Sequence, residues 1–462
     1  MPGASPPFSL LEVLVDLRNF VSVSRLLIIS LALLVGACGY ILEVGVWPDD
    51  SARVFGGTGS LSVTGSAIDA DGNHYIVGRV SGVVDFESFE LRGESDETAF
   101  LVSFTSAGEP RWSQSWSGPF SFALSVEAMN ESVRVTGYVR GPIVGPLPLT
   151  TGSRQELFVF EFDQQSGAPL PPAQTYASGA GNVQGKAVLR EGSFSALCGH
   201  YIGAVDFGLG PLPASPPTQD NGFVAVFDAR GDAVWSEAVV GASVLLGDAF
   251  LRTDGSVVAT GVYTGGTIGG RVAAGQDAIV TAFAPDGRVE YSLGFGSPGG
   301  DSASAIAAFE DGAVIVGTTS GDVSIAGETV LGQGARDAFV ARLDAAGGVV
   351  WARTFGGAGT EILRRVHVEN GRIYAGGEFD GEFGFAERTL SAAGGRDVMV
   401  LVLDADGNES EGVRLGGAGD ESLGGFEVQG GRVWMAITLD GETVLDDAGP
   451  QTGALGLRSV QF

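Results

Sequence analysis

A period near 60 residues constrains this chain more than any other property of its sequence. The clearest copy runs from Trp351 to Gly407, WARTFGGAGTEILRRVHVENGRIYAGGEFDGEFGFAERTLSAAGGRDVMVLVLDADG, and weaker copies recur along nearly the whole sequence. Each opens with an apolar residue and a small, Gly-rich connector: Phe55-Gly56-Gly57, Trp116-Ser117-Gly118, Tyr176-Ala177-Ser178, Val239-Val240-Gly241, Phe295-Gly296-Ser297, Phe355-Gly356-Gly357 and Leu415-Gly416-Gly417. A small residue late in the next β run, Gly78, Gly137, Gly199, Gly261, Gly317, Gly376 and Ala436, recurs at spacings of 59, 62, 62, 56, 59 and 60. A short polar residue opens a third run, as at Glu156, Asn221, Asp277, Asp337 and Asp397. Three markers in one register describe seven copies of a single supersecondary unit.

Within a copy the pattern reads as four strands. In the clearest one these are Arg364 to Val368, Arg372 to Phe379, Asp397 to Asp404 and a fourth around Val413, separated by turns at Glu369-Asn370-Gly371 and at Asp404 to Gly407. Helical periodicity is absent after Leu42. Four-stranded units repeated seven times predict an all-β fold, a seven-bladed β-propeller spanning residues 46–462, in which radial closure removes exposed sheet edges. The last copy has strands Phe426 to Val428, Arg432 to Leu439 and Leu455 to Phe462, then stops without a fourth. Val46 to Phe55 has the fourth-strand pattern with no copy before it, so it is expected to pair beside Leu455 to Phe462 and close the ring.

Lys+Arg 26 against Asp+Glu 55 gives a net charge of −29. Such a field repels phosphate backbones and excludes nucleic acid as the partner. Gly 74 and Pro 19 without a G-X-Y period, with 44% hydrophobic residues, mark turn-rich β structure rather than disorder. A single lysine, Lys186, accompanies 25 arginines, a bias read as genome composition rather than chemistry. Two cysteines, Cys38 and Cys198, are too few for a disulfide framework.

At the N-terminus, Arg25 precedes the apolar run Leu26 to Val35 and then Gly36-Ala37-Cys38, the layout of a signal peptide over residues 1–37. The run to Leu42, broken by Gly36 and Gly39, falls short of the roughly 20 residues a spanning helix needs. Val35-Gly36-Ala37-Cys38 resembles the lipobox of bacterial lipoproteins, which implies cleavage before Cys38, lipidation of its thiol, and a short linker over residues 38–45. Glu12 and Asp16 sit where an n-region should be basic, so residues 1–20 read as a misassigned start ahead of Val21. Trp351 to Glu361, Gly371 to Gly376 and Asp337 to Asp344 resemble the bacterial seven-bladed β-propeller repeat family along residues 46–462. That resemblance implies a fold and an extracytoplasmic setting, while the lipobox and Gly39, which carries no acidic inner-membrane retention cue, point to a lipid-anchored cell-envelope protein with an outer-membrane default. It implies no shared reaction. Copies two and three depart most, with Pro172 in place of Trp and Pro-rich loops.

Candidate sites follow from the repeat. Six residues after the connector aromatic, copies five to seven carry Asp301, Glu361 and Glu421, and Asp420 precedes the last of these. Strand parity places connectors and second-to-third loops on one face, so Asp301, Glu361, Asp420 and Glu421 could form an acidic arc for a cation or basic partner. The competing reading is that each acid caps its connector turn through backbone N–H groups. Asp69 to Asn73 and Asp404 to Asn408 resemble fragments of calcium loops but lack the distal Glu, which favours hairpin turns and no cofactor. His74, His200 and His367 share no register, and Cys198 in an apolar strand reads as a buried thiol. The expected function is a lipid-anchored binding or scaffolding module, a monomeric ring for protein or polysaccharide partners with no evident catalysis. The alternative is a propeller hydrolase or lyase acting on a glycan or lactone at the channel mouth. A binder should expose aromatic or apolar surface, for which Phe120, Phe383, Phe385 and Trp434 are available.

Overall fold

The computed structural model describes residues 52–177, 181–325, 328–440, 442–443, 445 and 451–462. The signal segment, Cys38, the linker and the part of the expected closing strand before residue 52 lie outside the described residues. Among the described residues there is no helix, and the strands of every sequence copy pair antiparallel with their chain neighbours. Copy six is representative. Its inner strand Glu361–Glu369 pairs with Arg372–Phe379, which pairs with Asp397–Leu403, which pairs with the outer strand Glu409–Leu415. Copies two to five have the same order, and the sheets of copies one and seven are joined through Arg53–Gly57.

Each third strand is a near-continuous apolar run, because both of its faces are covered by neighbouring copies. Asp397–Leu403, DVMVLVL, is buried at every position, as is Asn221–Phe227. Inner strands instead alternate, and all seven carry a β-bulge at one register, between Val63 and Gly65, Ala123 and Ser125, Gly185 and Ala187, Leu246 and Asp248, Ala303 and Ala305, Leu363 and Arg365, and Leu423 and Gly425. A bulge inserts one unpaired residue and bends its strand.

The residue facing each bulge explains the second sequence marker. A Cβ on Gly78, Gly137, Gly199, Gly261 or Gly317 would lie 1.8–2.1 Å from an inner-strand carbonyl oxygen, so only glycine fits. In copy six the position falls on Gly377, one residue beyond the Gly376 that the sequence pattern suggests, with the Ile362 oxygen 1.8 Å from the would-be Cβ. In copy seven it falls on Ile437, paired with Leu423, rather than on Ala436.

Adjacent copies pack inner strand on inner strand along the chain, and Ser60–Ile68 of copy one also packs on Asp420–Gln429 of copy seven. Hydrogen bonds cross that last junction: Val63 N donates to Thr438 Oγ1 at 3.0 Å, and Phe426 N to Ser66 Oγ at 2.9 Å. Arg53, Val54 and Phe55 pair with Leu457, Gly456 and Leu455, and Gly56-Gly57 continues onto Asp85 and Val84 of copy one. Phe55 is buried against Phe86 and Phe104.

The long second-to-third connections are small folded hairpins. Glu382–Phe385 pairs with Arg388–Ser391, Val323–Ile325 with Glu328–Val330, Thr267–Ile268 with Arg271–Val272, and Pro142–Ile143 with Leu149–Thr150. This corrects the aromatic inventory. Phe383 and Phe385 are 3% and 2% exposed, pinned beneath their hairpin, and Trp434, 5% exposed, stacks on His74 with ring centroids 3.3 Å apart. Of the four aromatic candidates only Phe120 is half-exposed.

Candidate functional site

The connector acids occupy a position that recurs in copies five to seven. Asp301, Glu361 and Glu421 are buried, at 0–1% exposure, while Asp420 is exposed. Each buried carboxylate turns back on its own connector: Asp301 Oδ2 accepts from Ser297 N at 2.6 Å, Glu361 Oε2 from Gly357 N at 3.3 Å, and Glu421 Oε2 from Gly417 N at 3.2 Å. Asp420 Oδ1 accepts from Arg396 N at 2.8 Å. The structure therefore does not present the three acids to solvent as an arc.

It brings together instead two sequence markers about 24 residues apart, the connector acid and the aspartate that opens the third strand. A Cβ built on Gly356 would lie 1.9 Å from Asp337 Oδ1 and 3.0 Å from Glu361 Oε2. On Gly416 it would lie 2.3 Å from Asp397 Oδ1 and 2.5 Å from Glu421 Oε2. The connector glycine is the floor on which two carboxyls meet. The aspartates have their own donors: Asp337 Oδ2 accepts from Gln333 N and Gly334 N, and Asp397 Oδ2 from Ala393 N and Arg414 Nη1. The facing oxygens Asp337 Oδ1, Glu361 Oε1, Asp397 Oδ1 and Glu421 Oε1 find no donor. A neighbouring carboxylate favours the protonated form of each glutamate. Burial, with the neighbouring Asp337, pushes Glu361 up to about 7, and burial with Asp397 does the same for Glu421.

The other sequence candidates stay apart. Asp69 Oδ1 accepts from Asp71 N and Asn73 N, and Asp404 Oδ1 from Asp406 N and Asn408 N, so these carboxylates are occupied by their own turns. His74 and His200 are buried, and burial holds both at about 3, neutral at any ordinary pH. His200 Nε2 lies 4.0 Å from Asp220 Oδ1. Among the described residues no group of three His, Cys, Asp or Glu is placed to hold a metal. Cys198 is fully buried and its thiol is pushed up by desolvation, away from thiolate reactivity.

Two features escaped the sequence reading. The first is a cavity of about 210 Å³ bordered by the inner strand of every copy, with Thr64, Ser125, Lys186, Asp248, Ser304, Arg365 and Glu427 each coming from a different one. Lys186, the only lysine, is the bulge residue of copy three. Arg365 is clamped: Nη2 donates to Thr64 O and Gly424 O, both at 2.8 Å. Asp248 accepts from Ala249 N and Ile306 N, and burial raises it to about 6. Burial raises Glu427, held by Ser66 Oγ at 2.7 Å, to about 7.

The second is an aromatic ladder at the start of copy two. Phe120 stacks on Phe122 with centroids 5.9 Å apart, and Phe122 on Tyr138 at 4.9 Å. Arg140 lies 3.9 Å over Phe120, Arg79 4.8 Å over Phe122, and the Lys186 ammonium 6.0 Å from Tyr138. All three rings are half-exposed. A signal existed: at the inner-strand start, copy two reads Phe120-Ser121-Phe122 where copies six and seven read Thr360-Glu361-Ile362 and Asp420-Glu421-Ser422. Departure from the repeat was the clue.

No protein-family model matches the chain, and no curated protein does. Among solved structures it is similar to the WD40 domain of Neurospora crassa Pan2, at 12% identity over 87% of this chain and 91% of that one, with a TM-score of 0.40. It is also similar to the polysaccharide lyase Uly1, at 8% identity over 94% of each chain and a TM-score of 0.41. A prolyl endopeptidase aligns at 12% identity over 87% of this chain but 50% of its own length, with a TM-score of 0.40.

Proposed function

We propose that the chain is a seven-bladed β-propeller, closed by the pairing of Arg53–Phe55 with Leu455–Leu457, that serves as a binding or scaffolding module anchored to the bacterial cell envelope through a lipid on Cys38. One cavity reached by all seven inner strands supports the ring, and residues 26–38 support the anchor and the outer-membrane, extracytoplasmic address. The observation that carries the binding reading is the ladder of Phe120, Phe122 and Tyr138 with Arg79 and Arg140 over its faces. Aromatic rings flanked by guanidinium groups offer an apolar platform with a charged margin, suited to a protein or glycan partner. The connector acids at the same end are buried, each accepting from an amide of its own connector.

The test is crosslinking of the anchored protein in its native envelope, with wild type beside a Phe120→Ala/Phe122→Ala variant. One stoichiometric partner recovered by wild type and lost from the variant is the expected result. Equal recovery by both removes the ladder from the binding site. In parallel, a fatty-acid analogue should label wild type and not Cys38→Ala; equal labelling removes the anchor.

A further inference from the structure

Four of the seven copies share a device at the junction with the next copy. Four residues before the connector aromatic, the outer strands carry Trp112, Trp235, Tyr291 and Trp351. Each ring lies on the turn glycine between the third and fourth strands of the next copy. A Cβ built on Gly167, Gly287, Gly347 or Gly407 would sit 2.5–3.1 Å from that ring. Two of the indoles also donate to the carbonyl after the turn aspartate, Trp112 Nε1 to Gln164 O at 3.1 Å and Trp351 Nε1 to Ala405 O at 2.9 Å.

At the junction of copies two and three this position is Pro172. The outer strand Pro169–Tyr176 leaves register there, with Val159 opposite Gln174 but Glu161 opposite Leu170, because neither Pro171 nor Pro172 has an N–H for the ladder. The glycine that should lie under a ring, Gly231, has nothing within 4 Å of its would-be Cβ. In place of the ring there is an open cleft of about 300 Å³, lined among others by Val159, Leu170, Pro172, Phe194 and Gly231, and a further space of about 40 Å³ continues from it past Tyr176 and Leu197. On its rim Arg134 pairs with Glu161 and Arg230 with Asp228, while Arg190 donates to Asn130 Oδ1.

We infer that this cleft is a receptor slot for a tryptophan side chain of a protein partner. The chain itself states the occupant: four junctions of the same construction hold an aromatic ring, three of them an indole, and the fifth keeps the seat without the ring. The carbonyl matching Gln164 and Ala405 is that of Ala229, which lines the cleft and would receive the indole N–H. A ring seated there buries about 150–250 Å² of its own surface. This slot is separate from the Phe120 ladder, and it stands or falls independently of it.

N-acetyl-L-tryptophanamide is titrated into the mature chain by calorimetry or ligand-observed NMR, with N-acetyl-L-alaninamide and N-acetyl-L-phenylalaninamide as references. The expected result is one saturable site with a Kd on the order of 1 mM, tighter than for the phenylalanine analogue and absent for the alanine one. Pro172→Trp refills the seat from within and should raise Tm while weakening the probe at least about tenfold. Should that variant fail to fold, Gln174→Trp on the cleft wall should block it to the same extent. Trp351→Ala opens the equivalent seat elsewhere, so its folded form should bind two probes instead of one. No saturable binding to wild type, or binding unchanged by either blocking variant, overturns the inference. Equal affinity for the phenylalanine analogue overturns the assignment of an indole.

Discussion

Gly356 shows how much chemistry one side-chain hydrogen can carry. Its would-be Cβ lies 1.9 Å from Asp337 Oδ1, and Asp337 cannot retreat without giving up the Gln333 and Gly334 amides that its other oxygen binds at 2.7 and 3.1 Å. Gly356→Ala should therefore cost about 2–4 kcal/mol, from overpacking plus a weakened buried acceptor. Gly371→Ala, at φ 75° with nothing within 4 Å, should cost only about 1–2 kcal/mol of backbone strain. Chemical denaturation of the two variants checks the order, and a Gly371→Ala as damaging as Gly356→Ala contradicts it. The sequence displayed the F-G-G connector and the acid six residues after its aromatic. It could not display why the glycine is there, because the carboxyl that needs the space, Asp337, comes from another strand. Lys186 is a similar case: its singularity was visible in composition, but its place in the cavity depends on a bulge register that no residue type announces.

Strands and their pairings were more legible than residues, and for a physical reason. An apolar run covered on both faces, as in Asp397–Leu403, leaves a signal in composition alone, whereas an end defined by a buried acid does not. The inner strand of copy six begins at Glu361 rather than Arg364, and that of copy seven at Asp420 rather than Phe426, because polar residues inside the first turn of the strand read as loop. Hairpins such as Glu382–Phe385 with Arg388–Ser391 read as variable loop, since their alternation is too short to count as a strand. The pairing of Arg53, Val54 and Phe55 with Leu457, Gly456 and Leu455 falls within the strand expected from the missing fourth run of copy seven, the rest of which lies outside the described residues. Its energetic weight rests on Phe55, which is 2% exposed and packed on Phe86 and Phe104 at ring separations of 5.0 and 5.7 Å. Phe55→Ala should cost about 3–5 kcal/mol, as much as any core phenylalanine, despite lying near the start of the described chain. A thermal melt within 1–2 °C of wild type would mean that this strand contributes nothing to the sheet it joins.

Across the whole molecule, burial sets a pH dependence that an acidic composition would not lead one to expect. Glu361, Glu421 and Glu427 are raised to about 7, and Glu127 to about 8, by desolvation first, joined in Glu361, Glu421 and Glu127 by a neighbouring carboxylate. A group whose folded value lies above its unfolded one contributes stability below the unfolded value, and that contribution disappears as pH rises through the folded value. His74 and His200 act in the opposite sense, because burial holds them near 3 and the unfolded chain takes up their protons below about 6.5. Between pH 4.5 and 6.5 the two effects oppose one another. Above about 7.5 the histidines are neutral in both states, while the raised carboxyls still lose their protons later in the folded chain than in the unfolded one. Lys186, lowered by burial, gains stability with rising pH, but it is one group against four. Tm should therefore fall by several degrees from pH 6.5 to pH 8.5. A Glu361→Gln/Glu421→Gln variant keeps the shape and supplies a permanent donor to each facing aspartate oxygen, so its melting curve should fall less steeply over that window. A wild-type Tm that is level or rising from pH 6.5 to 8.5 would mean that Glu361, Glu421, Glu427 and Glu127 are ionised within the fold.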